Sequence, residues 1–217
     1  MSPFALAAEV LATARAMNAS GINRGSAGNA SARHWPEGAV SDGFIITPTG
    51  MAYADCGAED MVRVGLDGTP HGVRKPSSEW RFHRDIYATR PEVGAIVHTH
   101  SPFATSLACT GRGIEPFHYM IARFGGRDVR CADYATFGTQ ALSDAVLAAL
   151  EGRRACLMAH HGMLVTGRNL AQALDLAVEL ETLCEQYWRV LQLGPAVLLP
   201  DDEMARVIEK FAHYGQQ

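Results

Sequence analysis

Residues Lys75–Ser101 read KPSSEWRFHRDIYATRPEVGAIVHTHS. A Pro-Ser-Ser turn opens a helix from Glu79 to Ala88, and Arg90-Pro91 ends it because the residue before proline disfavours helical backbone. Gly94–Val97 then forms an apolar strand that runs into His98-Thr99-His100. Strand side chains alternate between faces, so His98 and His100 project to one side and Thr99 to the other. Two imidazoles side by side suit a divalent transition metal, and Glu79 supplies an oxygen ligand or a base. Glu79 and His83, four residues apart, share a helix face and suit a hydrogen-bonded pair.

A second apolar strand, Ala155–Ala159, delivers His160-His161-Gly162 much as the first delivers His98. Neighbouring strands bring their C-terminal ends together, which predicts a third imidazole at the same place. His160 and His161 should face opposite ways, so one of them is the ligand. Three protein histidines with an open position is the catalytic zinc pattern rather than the closed structural one. His34, His71, His118 and His213 stand apart and read as surface or hydrogen-bonded residues.

Upstream, residues 3–18 carry apolar positions at helical spacing. GINRGSAGNASAR follows, its glycines permitting tight turns. It is either a surface loop leading into a strand or a turn whose N–H groups and Asn29 cradle an anion. Gly43–Ile46 and Met61–Leu66 read as strands, with Thr47-Pro48-Thr49-Gly50 and Asp67-Gly68 as turns. Ser77 and Ser78 suit N-capping, and the helix they precede can attract phosphate through its unpaired N–H groups.

Downstream, a short helix spans about Ala104–Cys109, and Ile121–Cys131 has no clear period, with a strand as one option. A helix follows at Ala141–Leu150. Asn169 caps a long amphipathic helix to Leu193, stopped by Gly194, and a last helix covers about Asp201–Phe211. Strands alternating with helices predict an α/β layered fold.

The 217 residues fit one domain, 1–217, and 47% apolar with 19% charged residues is ordinary for a globular chain. A net charge of -4 gives no electrostatic reason to expect nucleic acid. Five widely spaced cysteines without a C-x-x-C pair argue against a disulfide framework and for free thiols in a reducing cytoplasm. No signal peptide or membrane-length apolar run is evident. A Lewis acid beside a carboxylate, facing phosphate-sized turns, suits proton abstraction next to a carbonyl in a phosphorylated substrate.

Taken in order, GNASAR, TPTGM, KPSSEWRFH, VHTH, FHYMIARFGG, DYATFGT, HHG and EKFAHYG resemble the class II aldolase family, particularly its L-fuculose-1-phosphate aldolases. The resemblance covers nearly the whole chain. It implies a three-layer α/β/α domain with a mostly antiparallel central sheet. It implies one Zn2+ per subunit on His98, His100 and His161, approached by Glu79, which is also the acid/base. It implies phosphate contacts at Asn29, Thr49, Gly50, Ser77 and Ser78, a proton-donor tyrosine at Tyr119 and a mobile one at Tyr214. It further implies a homotetramer whose tyrosines serve sites at subunit boundaries.

The implied reaction is reversible cleavage of a ketose 1-phosphate, L-fuculose 1-phosphate or similar, to dihydroxyacetone phosphate and an aldehyde such as L-lactaldehyde through a zinc-stabilised enediolate. An aldolase for 5-deoxyribulose or 5-methylthioribulose 1-phosphate is the alternative. Further alternatives are a ribulose-phosphate 4-epimerase, a methylthioribulose-phosphate dehydratase and a non-catalytic adducin-like domain. Arg123 and Phe124 stand where relatives carry small residues and are expected to reshape the aldehyde side.

Overall fold

The computed structural model describes residues 2–34 and 41–213. The N-terminal half contains α1 (Pro3–Ala19), β1 (Asn29–His34), β2 (Gly43–Ile46), β3 (Val62–Gly65) and β4 (Pro70–His71). Then follow α2 (Trp80–Thr89), β5 (Ala95–Thr99), α3 (Pro102–Ala108) and β6 (Arg130–Ala132). The chain continues through α4 (Gln140–Ala149), β7 (Ala155–Met158), β8 (Gly162–Gly167), α5 (Leu170–Leu193) and α6 (Asp201–His213).

The strands form one sheet in the order β4-β3-β2-β1-β5-β8-β7-β6. Every neighbouring pair is antiparallel except β6 and β7, which are parallel, so the sheet is mixed but mostly antiparallel as expected. Period-two alternation builds a core on each face. Ala30, Ala32, Ile45, Ala95, Val97 and Val165 pack on one side with the apolar faces of α1, α3 and α5. Phe44, Ile46, Ile96, Cys156 and Leu164 turn to the other, against Phe82 and Ile86 of α2 and Leu142 and Val146 of α4. Burying each such large side chain contributes about 1.5–3 kcal/mol, and the result is three layers, α/β/α.

Local signals set most ends. Ser2 accepts from the Ala5 N–H at 3.2 Å, and Pro3 starts α1 where no N–H is needed. Asn169 accepts from the Gln172 N–H at 2.9 Å and starts α5 where its sequence predicts. All five cysteines are free thiols. No described helix is long and apolar enough to cross a membrane.

Three sequence expectations change. Helix α2 begins one residue later, with Glu79 at the N-cap position expected for Ser77 or Ser78, and Ser77 Oγ accepts from the Glu79 N–H at 3.3 Å. The irregular Ile121–Cys131 stretch resolves into a 3-10 turn, Tyr119–Phe124, ended by left-handed Gly125, and then β6. Strand β8 was not anticipated, yet it pairs with β5 from Ala95↔Gly167 to Thr99↔Met163 at the centre of the sheet.

Candidate active site

The strand alternation that fills the second core also aims His98 at α2, where the Phe82 ring meets it edge-on at 5.6 Å. His98 is fully buried, and its Nδ1 donates to the Met163 carbonyl at 2.8 Å. That bond leaves the Nε2 lone pair facing inward, the arrangement that prepares an imidazole as a ligand. His98 Nε2 lies 3.1 Å from His100 Nε2 and 3.2 Å from Glu79 Oε2. His161 Nε2 lies 3.0 Å from Glu79 Oε1. One donor atom from each of Glu79, His98, His100 and His161 falls within 4.8 Å of all the others.

This convergence fits a cation better than it fits the residues bonding one another. Despite the 3.0 Å approach of His161, the buried Glu79 Oε1 accepts no hydrogen bond of usable geometry. Two ligands at about 2.1 Å from a tetrahedral ion lie about 3.4 Å apart, close to the separations seen here. The ionisation states agree. Burial pulls the His100 imidazole down to about 4, helped by the charge of His98 and His161, so it is neutral at pH 7. Burial pushes the Glu79 carboxyl up, but attraction to His98 and His161 outweighs it and holds the group ionised, below the usual carboxylate range. For His98 burial acts against the charged ring, and Glu79 more than offsets it. A cation held here would take the place of that proton.

His161 arrives by a route different from the predicted one. It does not stand at the C-terminal end of a strand beside β5, because β7 pairs with β6 and β8. Instead it occupies the tight β7–β8 turn, with His160 at φ 55°, and antiparallel β8 carries it to the end of β5. A Cβ on Gly162 would collide with the Thr99 carbonyl, so glycine lets the two strands approach there. His160 turns away, exposed and edge-on to Tyr134 at 5.9 Å. Just past His100, the Glu181 carboxylate accepts from Ser101 Oγ at 2.7 Å and from the Phe103 and Ala104 N–H groups at 2.8 and 2.9 Å. That cap ties the start of α3 to α5 and fixes where β5 ends.

The segments expected to hold phosphate meet at the start of α2. Ser77 N–H donates to the Thr47 carbonyl at 2.9 Å and Thr49 N–H to the Lys75 carbonyl at 3.1 Å, clipping the two turns together. Gly50, at φ 68°, completes the first turn, and Ser78 is exposed on the second. The helix end behind them carries partial positive charge. Asn29 Nδ2 donates to Ser77 Oγ at 3.1 Å and to Glu79 Oε2 at 2.9 Å. The Glu79–His83 pair expected from spacing is not direct: Asn29 stands between them, its Oδ1 2.6 Å from His83 Nε2.

Tyr119 is not brought to this cluster within the chain. It is half exposed, stacks on Phe211 of α6 at 6.3 Å and lines a cavity of about 1240 Å³ with Arg123, Arg206 and Lys210. Tyr214 lies outside the described residues. Phe124 is fully buried in the core beside α5, and Arg123 pairs with Asp175 and Glu179 of α5 at 2.6 and 3.2 Å. Within the chain these two support helix packing, and Arg123 also lines the cavity beside Tyr119. Sequence reasoning also missed the structural role of Glu181. A polar residue inside an otherwise apolar stripe was the available signal for Glu181.

The sequence pattern described as Class II Aldolase and Adducin N-terminal domain matches residues 8–188. The chain belongs to the class II aldolase family. It is 55% identical over 214 residues to the 5-methylthioribulose-1-phosphate/5-deoxyribulose-1-phosphate aldolase of Rhodospirillum rubrum, covering 99% of this chain and 94% of that one. It is 42% identical over 211 residues to the L-fuculose phosphate aldolase of Escherichia coli K12, covering 97% and 95%. A solved L-fuculose 1-phosphate aldolase superposes with a TM-score of 0.91 at 36% identity, covering 96% of each chain. As a class II aldolase the chain is an aldehyde-lyase.

Proposed function

We propose that this class II aldolase cleaves a pentulose 1-phosphate modified at C5, either 5-deoxyribulose or 5-methylthioribulose 1-phosphate. The products are dihydroxyacetone phosphate and acetaldehyde or methylthioacetaldehyde. The observation that carries the choice is the 55% identity to the Rhodospirillum rubrum enzyme across nearly the full length of both chains. It displaces the expectation of L-fuculose 1-phosphate, which the 42% identity to the Escherichia coli enzyme keeps as the second reading.

In this reading the whole chain, 1–217, is one aldolase domain. Zn2+ is held by His98, His100 and His161, with Glu79 beside it; three imidazoles plus a carboxylate suit this ion. When bound, it supplies a Lewis acid that polarises the substrate carbonyl and stabilises the charge developing there. Thr49, Gly50, Ser77 and Ser78 hold the phosphate, with Asn29 acting on it through the Ser77 hydroxyl to which it donates, and so set the position of the reacting carbons. Cleavage breaks C3–C4, the C4 hydroxyl loses its proton, and the electron pair of the broken bond stays on the dihydroxyacetone phosphate half. Glu79 carries the proton to and from C3. In the condensation direction Tyr119 donates the proton that the C4 oxygen gains, and in cleavage the same proton returns along that hydrogen bond to the tyrosinate so formed. Its exposure supports the further reading that it serves the site of a neighbouring copy in a homotetramer, together with Tyr214.

The test is a side-by-side measurement of kcat/KM for dihydroxyacetone phosphate release from 5-deoxyribulose, 5-methylthioribulose and L-fuculose 1-phosphates. A C5-modified pentulose phosphate is expected to lead by at least about tenfold, within the one to three kcal/mol that a pocket gains from a methylene-sized difference. A lead for L-fuculose 1-phosphate would overturn the choice.

A further inference from the structure

Four buried side chains form one continuous hydrogen-bonded line behind Glu79. Tyr87 Oη lies 2.8 Å from Ser31 Oγ, Ser31 Oγ 2.7 Å from His83 Nδ1, and His83 Nε2 2.6 Å from Asn29 Oδ1. Asn29 Nδ2 closes the line on Glu79 Oε2 at 2.9 Å and sends its second proton to Ser77 Oγ at 3.1 Å. None of Tyr87, Ser31, His83, Asn29 and Glu79 exceeds 5% exposure, so water does not substitute for a missing partner.

The direction of donation is determined along the whole line. An ionised carboxylate only accepts, so Asn29 presents its NH2 to Glu79 and its oxygen to His83. His83 therefore carries its proton on Nε2, and Nδ1 accepts the Ser31 hydroxyl proton. With that proton spent, Ser31 Oγ receives the one from Tyr87. Burial, with the nearby charge of His98, pulls His83 down to about 3, so the ring does not escape the choice of tautomer by gaining a second proton. The opposite tautomer would set a lone pair against Asn29 Oδ1, and the amide would turn its carbonyl toward the Glu79 carboxylate.

We propose that Tyr87, Ser31 and His83 are positioning residues that fix the Asn29 amide, and through it the Glu79 carboxylate, for proton transfer. This rests on the reading of Glu79 as the acid/base. The fold supports the role. Asn29 is paired with His98 and Ser31 with Ile96 in the β1–β5 register, so both point to the α2 face. His83 and Tyr87 lie one turn apart on α2, the helix that Glu79 immediately precedes as its N-cap. A Cβ on Gly28 would collide with the His98 carbonyl, so the backbone just before Asn29 sits tight against the histidine strand. The line thus ties the strand and the helix that carry the site, and one amide joins the base to the phosphate turn.

The test exploits two isosteres. The glutamine amide lies as many bonds from Cα as His83 Nε2, and the asparagine amide as many as Nδ1. Glutamine can therefore still donate to Asn29, and asparagine cannot. The readout is exchange of the C3 proton of dihydroxyacetone phosphate with solvent, alongside metal content and melting temperature of the purified enzyme. His83→Asn is expected to slow exchange about 10- to 100-fold, the scale on which small misplacement of a catalytic group acts. His83→Gln is expected to recover it to within about threefold of wild type at equal metal content. Ser31→Ala, which removes little volume, should lose roughly fivefold or more through the freed tautomer. Equal exchange rates in the two His83 variants, or wild-type exchange in Ser31→Ala, would overturn the proposal. Glu79→Gln separates the two readings. Wild-type exchange in it removes the base itself, whereas an inactive Glu79→Gln beside an unaffected His83→Asn removes only the positioning line.

Discussion

Glu79 sits where three influences cross: burial, two imidazoles within 3.2 Å and the Asn29 N–H. Glu79→Gln removes the charge and keeps the shape. The three histidines should still hold about one metal ion per chain, measurable by metal analysis, while turnover falls by about 10²–10⁴, the range for a lost general acid/base. Near-normal turnover would remove Glu79 from the role. His83 makes a second prediction. Unfolded histidine titrates near 6.5, and folded His83, pulled down to about 3 by burial, does not take the proton between those values. The unfolded chain binds more protons there, so the contribution is complete above pH 6.5 and is lost as pH falls toward 3, by about 4–5 kcal/mol at most. With metal removed by chelation, the urea midpoint of wild type should fall more steeply from pH 6.5 to 4 than that of His83→Gln. Parallel curves would contradict a neutral buried His83. At this scale the sequence was informative, because residue type and a period of two suffice to pair His98 with His100. It did not reveal that Asn29 bridges Glu79 and His83, since that contact joins a strand to a helix 50 residues away.

Among the elements, β8 governs the site most and was the least legible. Its six residues, GMLVTG, begin and end in glycine and follow the His160-His161 pair at the end of the preceding strand. Only its pairing with β5 makes them a central strand, and that pairing is a tertiary fact with no local periodicity to announce it. Strand β1, NASARH, was hidden similarly: small and polar side chains look like a loop until β2 and β5 bury them on both sides. By contrast α5 was readable to its ends, since Asn169, a long apolar stripe and Gly194 all agree. Gly162→Ala tests the β5–β8 approach. The added methyl meets the Thr99 carbonyl, so we expect a loss of about 2–3 kcal/mol, seen as a melting temperature about 5–10 °C lower, and weaker metal retention because His161 moves. An unchanged melting temperature and metal content would show that the turn has room to spare.

The whole molecule is a sheet with one core on each face, and the cluster forms where β5, β8 and the start of α2 converge. Tyr119 is displayed away from it, beside α6. If sites are shared between copies, Glu79→Gln and Tyr119→Phe chains, each nearly inactive alone, should regain activity when refolded together. Statistical mixing predicts up to about one quarter of wild type for a closed symmetric assembly. No recovery would place the whole catalytic set within one chain. In the proposed reading carbon–carbon cleavage depends on a metal held by His98, His100 and His161 beside Glu79. Its most direct test measures bound metal and dihydroxyacetone phosphate release from 5-deoxyribulose 1-phosphate on one purified sample, before chelation, after exhaustive chelation and after zinc is restored. The predicted result is about one metal per chain, release abolished with its removal and recovered with its return; undiminished release from the metal-free protein would contradict it.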